Sequence, residues 1–244
     1  MRDDIIFGRR PVLEMLEKGM RPDKILLQHG VDAAFSSKVR TLARTLDVQI
    51  QVVPLQKLQS LTRAAHQGVI AFKTFVEYQQ VQHVVQRVFE DGFDPLFIML
   101  DRITDVRNFG AIARSAEAFG AHGLIIPTTD SAPVNGEAVK ASAGALLNIA
   151  VCRERSLANT LDTLHDIGLV SYAADLTAEM PLDSMNLKGP VVIILGGEDR
   201  GISTQLLAKV HNRFRIPQSG QTQSLNVSVA AGIVLYHTLL QRQV

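Results

Sequence analysis

Five short apolar runs alternate with helical patterns from residue 96 onward, and this alternation constrains the fold more than any other feature. Each run is nearly continuous in hydrophobicity, which is typical of parallel strands covered on both faces. The pattern predicts a doubly wound α/β domain, whose ligands bind beyond the carboxyl ends of the strands. The predicted strands are Leu96–Leu100, Gly123–Ile126, Asn148–Val151, Val170–Ala173 and Val191–Leu195, and the predicted helices are Ala111–Phe119, Glu137–Leu146, Leu157–Asp166 and Thr204–Lys209.

The first 75 residues carry a separate pattern of short strands and helices, which predicts a smaller α/β unit with a parallel or mixed sheet. A polar stretch at residues 76–95, broken at Gly92 and Pro95, is typical of a join between domains. We therefore expect a small domain at 1–75, a linker at 76–95 and a larger domain at 96–244. The expected elements of the small domain are strands at Ile5–Phe7, Lys24–Gln28, Val48–Val53 and Val69–Phe72, and helices at Val12–Leu16 and Asp32–Leu46.

Charge is distributed unevenly between the two parts. Residues 1–75 carry 12 Lys and Arg against 7 Asp and Glu, a balance of +5, whereas residues 76–244 carry 13 against 17, a balance of −4. A basic first part favours a polyanionic partner such as RNA. The alternative is that a small domain carries a few surplus charges without any such partner.

His66 precedes Gln67-Gly68 at the predicted turn before the last strand of the small domain. It is a candidate RNA contact, but a turn residue with a solvated imidazole is the favoured interpretation.

Composition excludes several classes of protein. Hydrophobic residues make up 46% of the chain and the mean hydropathy is +0.12, which indicates an ordinary globular core. No run of about 18 apolar residues occurs, so we expect no membrane span, and the N-terminal residues lack the apolar run of a secretory leader. The one cysteine, Cys152, excludes an internal disulfide framework, fits the reducing cytoplasm and is expected to be a buried core residue.

Two polar loops follow strands of the predicted sheet. In the first loop, which follows Leu96–Leu100, Asn108 stands six residues before Arg114 of the next helix. Amide and guanidinium donors on one side of a turn and helix suit a phosphate or a sugar, although a helix cap and a surface arginine would give the same pattern. In the second loop, Gly196 and Gly197 would allow the backbone to approach a ligand closely.

A nicotinamide cofactor and a metal centre both fit the sequence poorly. A dinucleotide fingerprint requires G-x-G-x-x-G and an acidic residue about twenty positions later. The second loop instead has the spacing G-G-x-x-x-G, and Ile216-Pro217 stands where the acid is needed. The seven histidines are scattered and the cysteine is alone, so no metal site is expected.

A third polar segment lies near the end of the chain, between Ile216 and the helix that begins around Val227. That helix is apolar on most sides, so it must be covered on most sides, either at the centre of a domain or by a second copy of the chain. The loop before it has the amides, hydroxyls and backbone donors of a binding site. The simpler interpretation is a surface loop in which Ser224 caps the helix.

These three segments, in this order, resemble the motifs of the SpoU-type RNA ribose 2′-O-methyltransferases of the SPOUT class. The resemblance covers most of the chain, and the front part is similar to the small RNA-binding domain of that family. Val106 and Asp199-Arg200 depart from the usual family pattern at loop positions. The matching motifs are Asn108-x-Gly110-x-x-x-Arg114, Leu195-Gly196-x-Glu198-x-x-Gly201, and Ile216-Pro217 with Ser224-Leu225-Asn226-Val227-Ser228.

The resemblance implies a C-terminal α/β trefoil-knot domain that binds S-adenosylmethionine and pairs with a second chain through the knotted region. It implies that backbone groups near four residues bind the cofactor: Gly196, Gly197, Ile216 and Leu225. It also implies a catalytic set in which Arg114 accepts a proton or orients the phosphate and the 2′-hydroxyl. Asn108, Glu198, Ser224 and Asn226 complete that set.

The layout is most similar to the subgroup that methylates a guanosine ribose in 23S ribosomal RNA. Two other functions stay open at this point. One is ribose methylation of transfer RNA. The other is a ribosomal-RNA-binding assembly or resistance factor that performs no chemistry of its own.

Overall fold

The computed structural model describes residues 4–220 and 224–243, and the chain divides into two compact units. The first comprises Met1–Phe75 with Val134–Gly136, and the second comprises Val76–Pro133 with Glu137–Val244. None of the helices within the described residues is long and apolar enough to cross a membrane.

The first unit contains a four-stranded mixed sheet in the order β1-β4-β2-β3. The central strand β2 is antiparallel to β4 and parallel to β3. The elements are β1 (Ile5–Phe7), α1 (Arg9–Glu17), β2 (Lys24–Gln28), α2 (Ala33–Thr45), β3 (Gln49–Val53), α3 (Leu55–Leu61) and β4 (Val69–Phe72).

Strand β2 explains why helices cover both faces of this sheet. Its residues alternate between faces: Ile25 and Leu27 join the core that includes α1 and α2, whereas Leu26 joins the opposite core with Leu58 of α3. A strand that is apolar at successive positions therefore needs cover on both sides. The sequence pattern missed α3, which is only seven residues long.

The second unit contains a seven-stranded sheet in the order β11-β9-β10-β6-β7-β8-β5, and every pairing in it is parallel. Its strands are β5 (Tyr78–Gln79), β6 (Leu96–Asp101), β7 (Gly123–Pro127), β8 (Ala150–Glu154), β9 (Val170–Ala174), β10 (Val191–Gly196) and β11 (Asn212–Phe214). Its helices are α4 (Val81–Glu90), α5 (Val106–Ala118), α6 (Gly136–Ala141), α7 (Leu157–Asp166), α8 (Thr204–Leu207) and α9 (Val227–Arg242).

The stretch expected to be a linker, residues 76–95, carries regular structure of the second unit. Residues Tyr78–Gln79 add β5 to the edge of the sheet beside β8. Val81, Val84 and Val85 of α4 are buried in its main core. Gln82 and His83, two of the polar residues that favoured a linker, lie on the solvent side of this amphipathic helix.

Two helix starts differ from the sequence-based expectation. Helix α5 begins at Val106, so Asn108 lies in its first turn rather than in the preceding loop, and Asp105 caps it by accepting from the Asn108 amide at 2.8 Å. Helix α9 is capped by Asn226, whose Oδ1 accepts from the Ser228 amide at 3.0 Å, so Ser224 is not its cap. In both cases a side chain nearer the helix satisfies the first free N–H groups.

The neighbouring strands β6 and β10 position the loops that matter for function. They pair in parallel along their full length, ending with Asp101 opposite Gly196. Because their carboxyl ends lie side by side, the loops that follow them leave the same edge of the sheet together.

Candidate functional site

Three polar side chains from distant parts of the chain meet at this edge. Asn108 of α5 donates through Nδ2 to Oε1 of Glu198 at 3.2 Å. Asn226, just before α9, donates through Nδ2 to Oδ1 of Asn108 at 3.0 Å and to the same Glu198 oxygen at 2.5 Å. We call this group the amide–carboxylate cluster. It joins the helix after β6, the loop after β10 and the start of the last helix.

The loop after β10 is held too tightly to accept side chains at its two leading glycines. A Cβ atom on Gly196 would lie 2.3 Å from the backbone of Gly201, and one on Gly197 would lie 2.4 Å from the carbonyl oxygen of Arg102. The Gly197 amide also donates to the Asp101 carbonyl at 2.9 Å. The backbone of this loop is therefore fixed against the end of β6, with its peptide groups close to the surface of the site.

The buried carboxylate of Asp101 ties this loop to the next segment. Its Oδ2 accepts from the Ser203 amide at 2.7 Å, and the residue is only 7% exposed. Sequence analysis did not select Asp101. Its position at the carboxyl end of an apolar strand, where ligands bind in such sheets, could have indicated it.

Two cavities open beside the amide–carboxylate cluster. The larger, of about 440 Å³, lies beyond β9 and β10, and six of the predicted cofactor and catalytic positions line it: Gly196, Gly197, Glu198, Ile216, Ser224 and Leu225. The smaller, of about 320 Å³, lies against the loop after β6 and includes Asn108. Gly197, Glu198, Arg200 and Val227 line both, so the two cavities share a wall.

The segment after β9 also contributes to the larger cavity, and sequence analysis missed it. Asp175 accepts from the Thr177 amide and hydroxyl, both at 2.9 Å, which folds the turn that carries Leu176 into the wall. The rule that ligands sit beyond strand ends applies to β9 as well, and it would have selected this turn.

Arg114 is the one predicted catalytic residue that lies apart from the others. It is exposed on α5, is absent from the walls of both cavities, and has no hydrogen bond or ion pair with the described residues. Arg114 lies six positions after Asn108 along the helix. At about 100° per residue, its side chain points about 120° away from that of Asn108. The expectation that the two face nearly the same side is therefore wrong within one chain.

No group of three or more His, Cys, Asp or Glu side chains within residues 4–220 and 224–243 is arranged to hold a metal ion. The polar groups of the site are instead amides, carboxylates and arginines, which bind organic ligands and phosphates.

Known protein families match both units. Residues 95–236 match the SpoU rRNA Methylase family, and residues 5–79 match the RNA 2′-O ribose methyltransferase substrate binding family. The first match alone covers more than half of the chain. The chain belongs to the SpoU methyltransferase family. The resemblance inferred from the three motifs is thereby confirmed.

Relatives of this SpoU family member align over almost its whole length. YacO of Bacillus subtilis (strain 168), described as a TrmH family tRNA/rRNA methyltransferase, is 30% identical over 239 residues, covering 98% of this chain and 96% of its own. A TrmH family tRNA/rRNA methyltransferase of Staphylococcus aureus (strain MSSA476) is 34% identical over 245 residues, covering 99% and 98%. Both alignments include the two units.

A solved structure supports the fold of this SpoU family member. The SpoU methyltransferase AviRb from Streptomyces viridochromogenes, in complex with the cofactor AdoMet, superimposes with a TM-score of 0.62 at 25% identity, covering 98% of this chain and 90% of AviRb. The predicted fold class, a SPOUT α/β domain preceded in sequence by a small α/β unit, is confirmed. As a SpoU family member, the protein is an RNA methyltransferase.

Proposed function

We propose that the protein transfers a methyl group from S-adenosylmethionine to the ribose 2′-hydroxyl of a guanosine in 23S ribosomal RNA. The observation that carries this proposal is the wall shared by the two cavities, where Glu198 of the amide–carboxylate cluster faces both. Methyl transfer to oxygen needs a donor and an acceptor held in line at contact distance. Two cavities that meet at one fixed wall provide for both.

The larger cavity suits the donor. Its volume of about 440 Å³ lies within the usual range for small-ligand sites. Leu176, Ile216 and Leu225 offer apolar surface to an adenine ring, while Gly196 and Gly197 bring backbone groups close to the ligand. When bound, the sulfonium supplies a methyl carbon that its positive charge makes electrophilic.

The smaller cavity suits the target nucleotide. Arg102 and Asp130 both line it, together with Asn108. An arginine donates to O6 and N7 of guanine, and a carboxylate accepts from the N1 and N2 hydrogens, so this pair of side chains favours guanine over the other bases. We propose that these two residues read the base while Asn108 and Glu198 orient the ribose.

We assign Arg114 an orienting role. A ribose 2′-hydroxyl is a weak acid, and an arginine side chain stays protonated in proteins. Arg114 is therefore suited to hold the phosphate next to the target and to stabilise negative charge on the oxygen as its proton passes to solvent water. Ser224 and Asn226 would hold the entry to α9 beside this oxygen.

Because Arg114 lines neither cavity of its own chain, we propose that a second copy brings it to the site. Helix α9 presents a half-exposed stripe of Val229, Ile233, Tyr236 and Leu240, each between 39% and 51% exposed, in which the Tyr236 ring also packs on Phe119 of the same chain. Residues at this spacing share one helix face, and such a face marks an interaction surface. Arg114 is adjacent in sequence to Ser115, against which Gly232 of α9 packs. A homodimer through α9 would therefore place α5 beside the partner chain.

The first unit, at residues 1–75, is proposed to bind the RNA, since it carries the net charge of +5 and matches the substrate-binding family over residues 5–79. We propose residues 96–244 as the catalytic domain and the cytoplasm as the place of action.

Transfer RNA is the second candidate substrate, because the relatives are described as tRNA/rRNA methyltransferases. A factor that only binds RNA would not need the three-way contact of Asn108, Glu198 and Asn226, so the intact cluster favours an enzyme.

The test is incubation with labelled S-adenosylmethionine and separate pools of ribosomal and transfer RNA, followed by mapping of the methylated nucleotide. We expect label at the 2′ position of a guanosine in 23S ribosomal RNA. Label in transfer RNA alone would show that transfer RNA, not ribosomal RNA, is the substrate. Absence of label in every RNA pool would favour a factor that binds RNA without methylating it.

A further inference from the structure

The first unit contains a groove of about 900 Å³ that has no part in the proposed methyl transfer. It lies where the loop before β4 faces the start of α1 and the end of β2. We call it the first-unit groove. The side chains that carry the argument are Arg9, Gln28, Gln59, Arg63, His66 and Gln67.

The groove carries positive charge that is already in position. The Nε of Arg9 donates to the Gln67 carbonyl at 3.4 Å, and its guanidinium carbon lies 4.9 Å from the centre of the Phe35 ring. Arg63 is exposed and has no hydrogen bond or ion pair with any described residue. The one carboxylate in the wall, Asp32, accepts from the Phe35 amide as the cap of α2. The wall therefore carries two guanidinium groups and one carboxylate, which is already bonded to a helix amide. The two guanidinium groups can bind a phosphate.

His66, a mostly buried residue, adds a donor to the wall of the same groove. It is 9% exposed, which corrects the expectation of a solvated imidazole. Its Nδ1 accepts from the Gly68 amide at 3.1 Å, so the neutral ring carries its proton on Nε2. Nε2 has no hydrogen-bonding partner among residues 4–220 and 224–243. A donor that opens into a cavity and has no partner in its wall is free to bind an acceptor on a ligand.

The amide side chains and the backbone add base-reading chemistry. Gln28 and Gln59 have side-chain amides that make no hydrogen bond to the described residues, and each such amide offers both a donor and an acceptor. Gln67 adopts a φ of 50°, which is unfavourable for a residue other than glycine. Its Oε1 accepts from the Arg9 amide at 3.0 Å, which holds this strained conformation in place. Strain of this kind collects at binding sites.

We propose that the first-unit groove holds one unpaired nucleotide of the substrate RNA. The base edge meets His66 Nε2 and the amides of Gln28 and Gln59, and the phosphate meets Arg9 and Arg63. Paired bases do not expose these edges, so the groove selects loops, bulges or ends over duplex. The inference rests on the proposed function in one respect, which is that the substrate is RNA.

The test compares two fluorescent RNA probes of equal length, a hairpin with a single-stranded loop and a fully paired duplex, by anisotropy titration of the full-length protein. In the double variant Arg63→Ala, Gln59→Ala we expect affinity for the looped RNA to fall about tenfold or more, since contacts to base edges are discriminating. Affinity for the duplex should change by less than about threefold. The matched control is Arg44→Ala, which removes an equal charge from an exposed position outside the groove.

Three outcomes overturn the inference: equal losses for the looped and paired probes, an equal loss in Arg44→Ala, or wild-type affinity in the double variant. A methyl-transfer assay on the same variants distinguishes failure of the groove inference from failure of the proposed function. If the double variant raises KM for RNA and keeps kcat, the groove binds the substrate. If the wild-type protein labels no RNA while the probes still distinguish the variants, only the catalytic proposal fails.

Discussion

The side-chain amide of Asn226 donates to the carboxylate of Glu198 at 2.5 Å, across 28 residues of sequence. Asn226 also caps α9 through its other side-chain atom, Oδ1. One side chain therefore sets the start of the last helix and the position of the glycine-rich loop. The two roles can be separated by substitution.

Asn226→Asp keeps a good helix cap but replaces the amide donor with a second carboxylate facing Glu198. The two charges repel, so the loop after β10 should move, and a displacement of about 1 Å is enough to lower the rate of methyl transfer about 100-fold. Initial rates with labelled donor and thermal melting curves measure both properties. Stability close to wild type with a lost rate is expected; a normal rate would remove Asn226 from the site.

Gly196→Ala should destabilise the protein and weaken its binding of S-adenosylmethionine. The added Cβ would lie 2.3 Å from the backbone of Gly201, so the loop must shift at a cost of about 1–3 kcal/mol. Urea unfolding and calorimetric titration of the donor check both effects. Gly189→Ala is the matched control, because a Cβ there meets nothing within 4 Å, and it should change stability by less than about 0.5 kcal/mol.

Arg114→Ala should abolish methyl transfer while folding and self-association stay intact, because Arg114 is exposed and has no partner within its own described chain. If the site takes Arg114 from the partner copy, a mixture of Arg114→Ala and Asn226→Asp proteins regains activity after subunit exchange. One site of each mixed dimer then has both intact residues. We expect the mixture to be more active than either variant alone. Full activity of Arg114→Ala alone would contradict the prediction.

The His165–His211 pair should make stability depend on pH. Their rings stack with centroids 3.9 Å apart. Burial, followed by the charge of His211, lowers the pKa of His165 below its usual value of 6.5. Between that lowered pKa and 6.5 the unfolded chain binds more protons than the folded protein. The free energy of unfolding is therefore highest above this window and falls as the pH drops through it.

Two measurements check the histidine prediction. An NMR titration should show that the pKa of His165 rises toward its usual value in His211→Gln, since a like charge is removed. Urea unfolding from about pH 7.5 to about pH 5.5 should show a smaller loss of stability in His165→Gln than in wild type. A His165 pKa above 6.5 in the wild-type protein would reverse the predicted sign.

Arg242→Ala should cost about 2–4 kcal/mol of stability, because it removes a half-buried guanidinium that donates to backbone carbonyl groups. The guanidinium donates to four of them: Asp94, Pro95, Leu187 and Gly189. Arg242→Lys should recover only part of the loss, since an ammonium group cannot reproduce the planar fork. Urea unfolding at neutral pH measures both. Wild-type stability in Arg242→Lys would show that charge, not donor geometry, matters there.

The long elements were predictable because their burial appears directly in the sequence. The predicted strands Lys24–Gln28 and Val69–Phe72 coincide with β2 and β4. By contrast, the strands β5 and β11 span only two and three residues, and they exist because β8 and β9 offer them backbone partners. Such short segments have no periodicity of their own, so only pairing in three dimensions defines them.

The candidate site was predictable in its membership more than in its geometry. The resemblance of the three motifs to the SpoU family selected Asn108, Glu198 and Asn226, which the structure joins by hydrogen bonds. Nothing in the spacing indicated that Asn226 would cap α9. The position of Arg114 on a different side of α5 was also not apparent, because it depends on where the helix begins.

The sequence by itself determined the parallel α/β architecture and the family, and its motifs selected three residues that meet in the amide–carboxylate cluster, because apolar runs and motif order are properties of the linear chain. Only the tertiary structure decided that two cavities share one wall at Glu198, that Arg114 faces away from them and that His66 is buried in the first-unit groove. These relationships depend on which loops leave the same sheet edge and on how each helix is rotated. Long-range packing sets both.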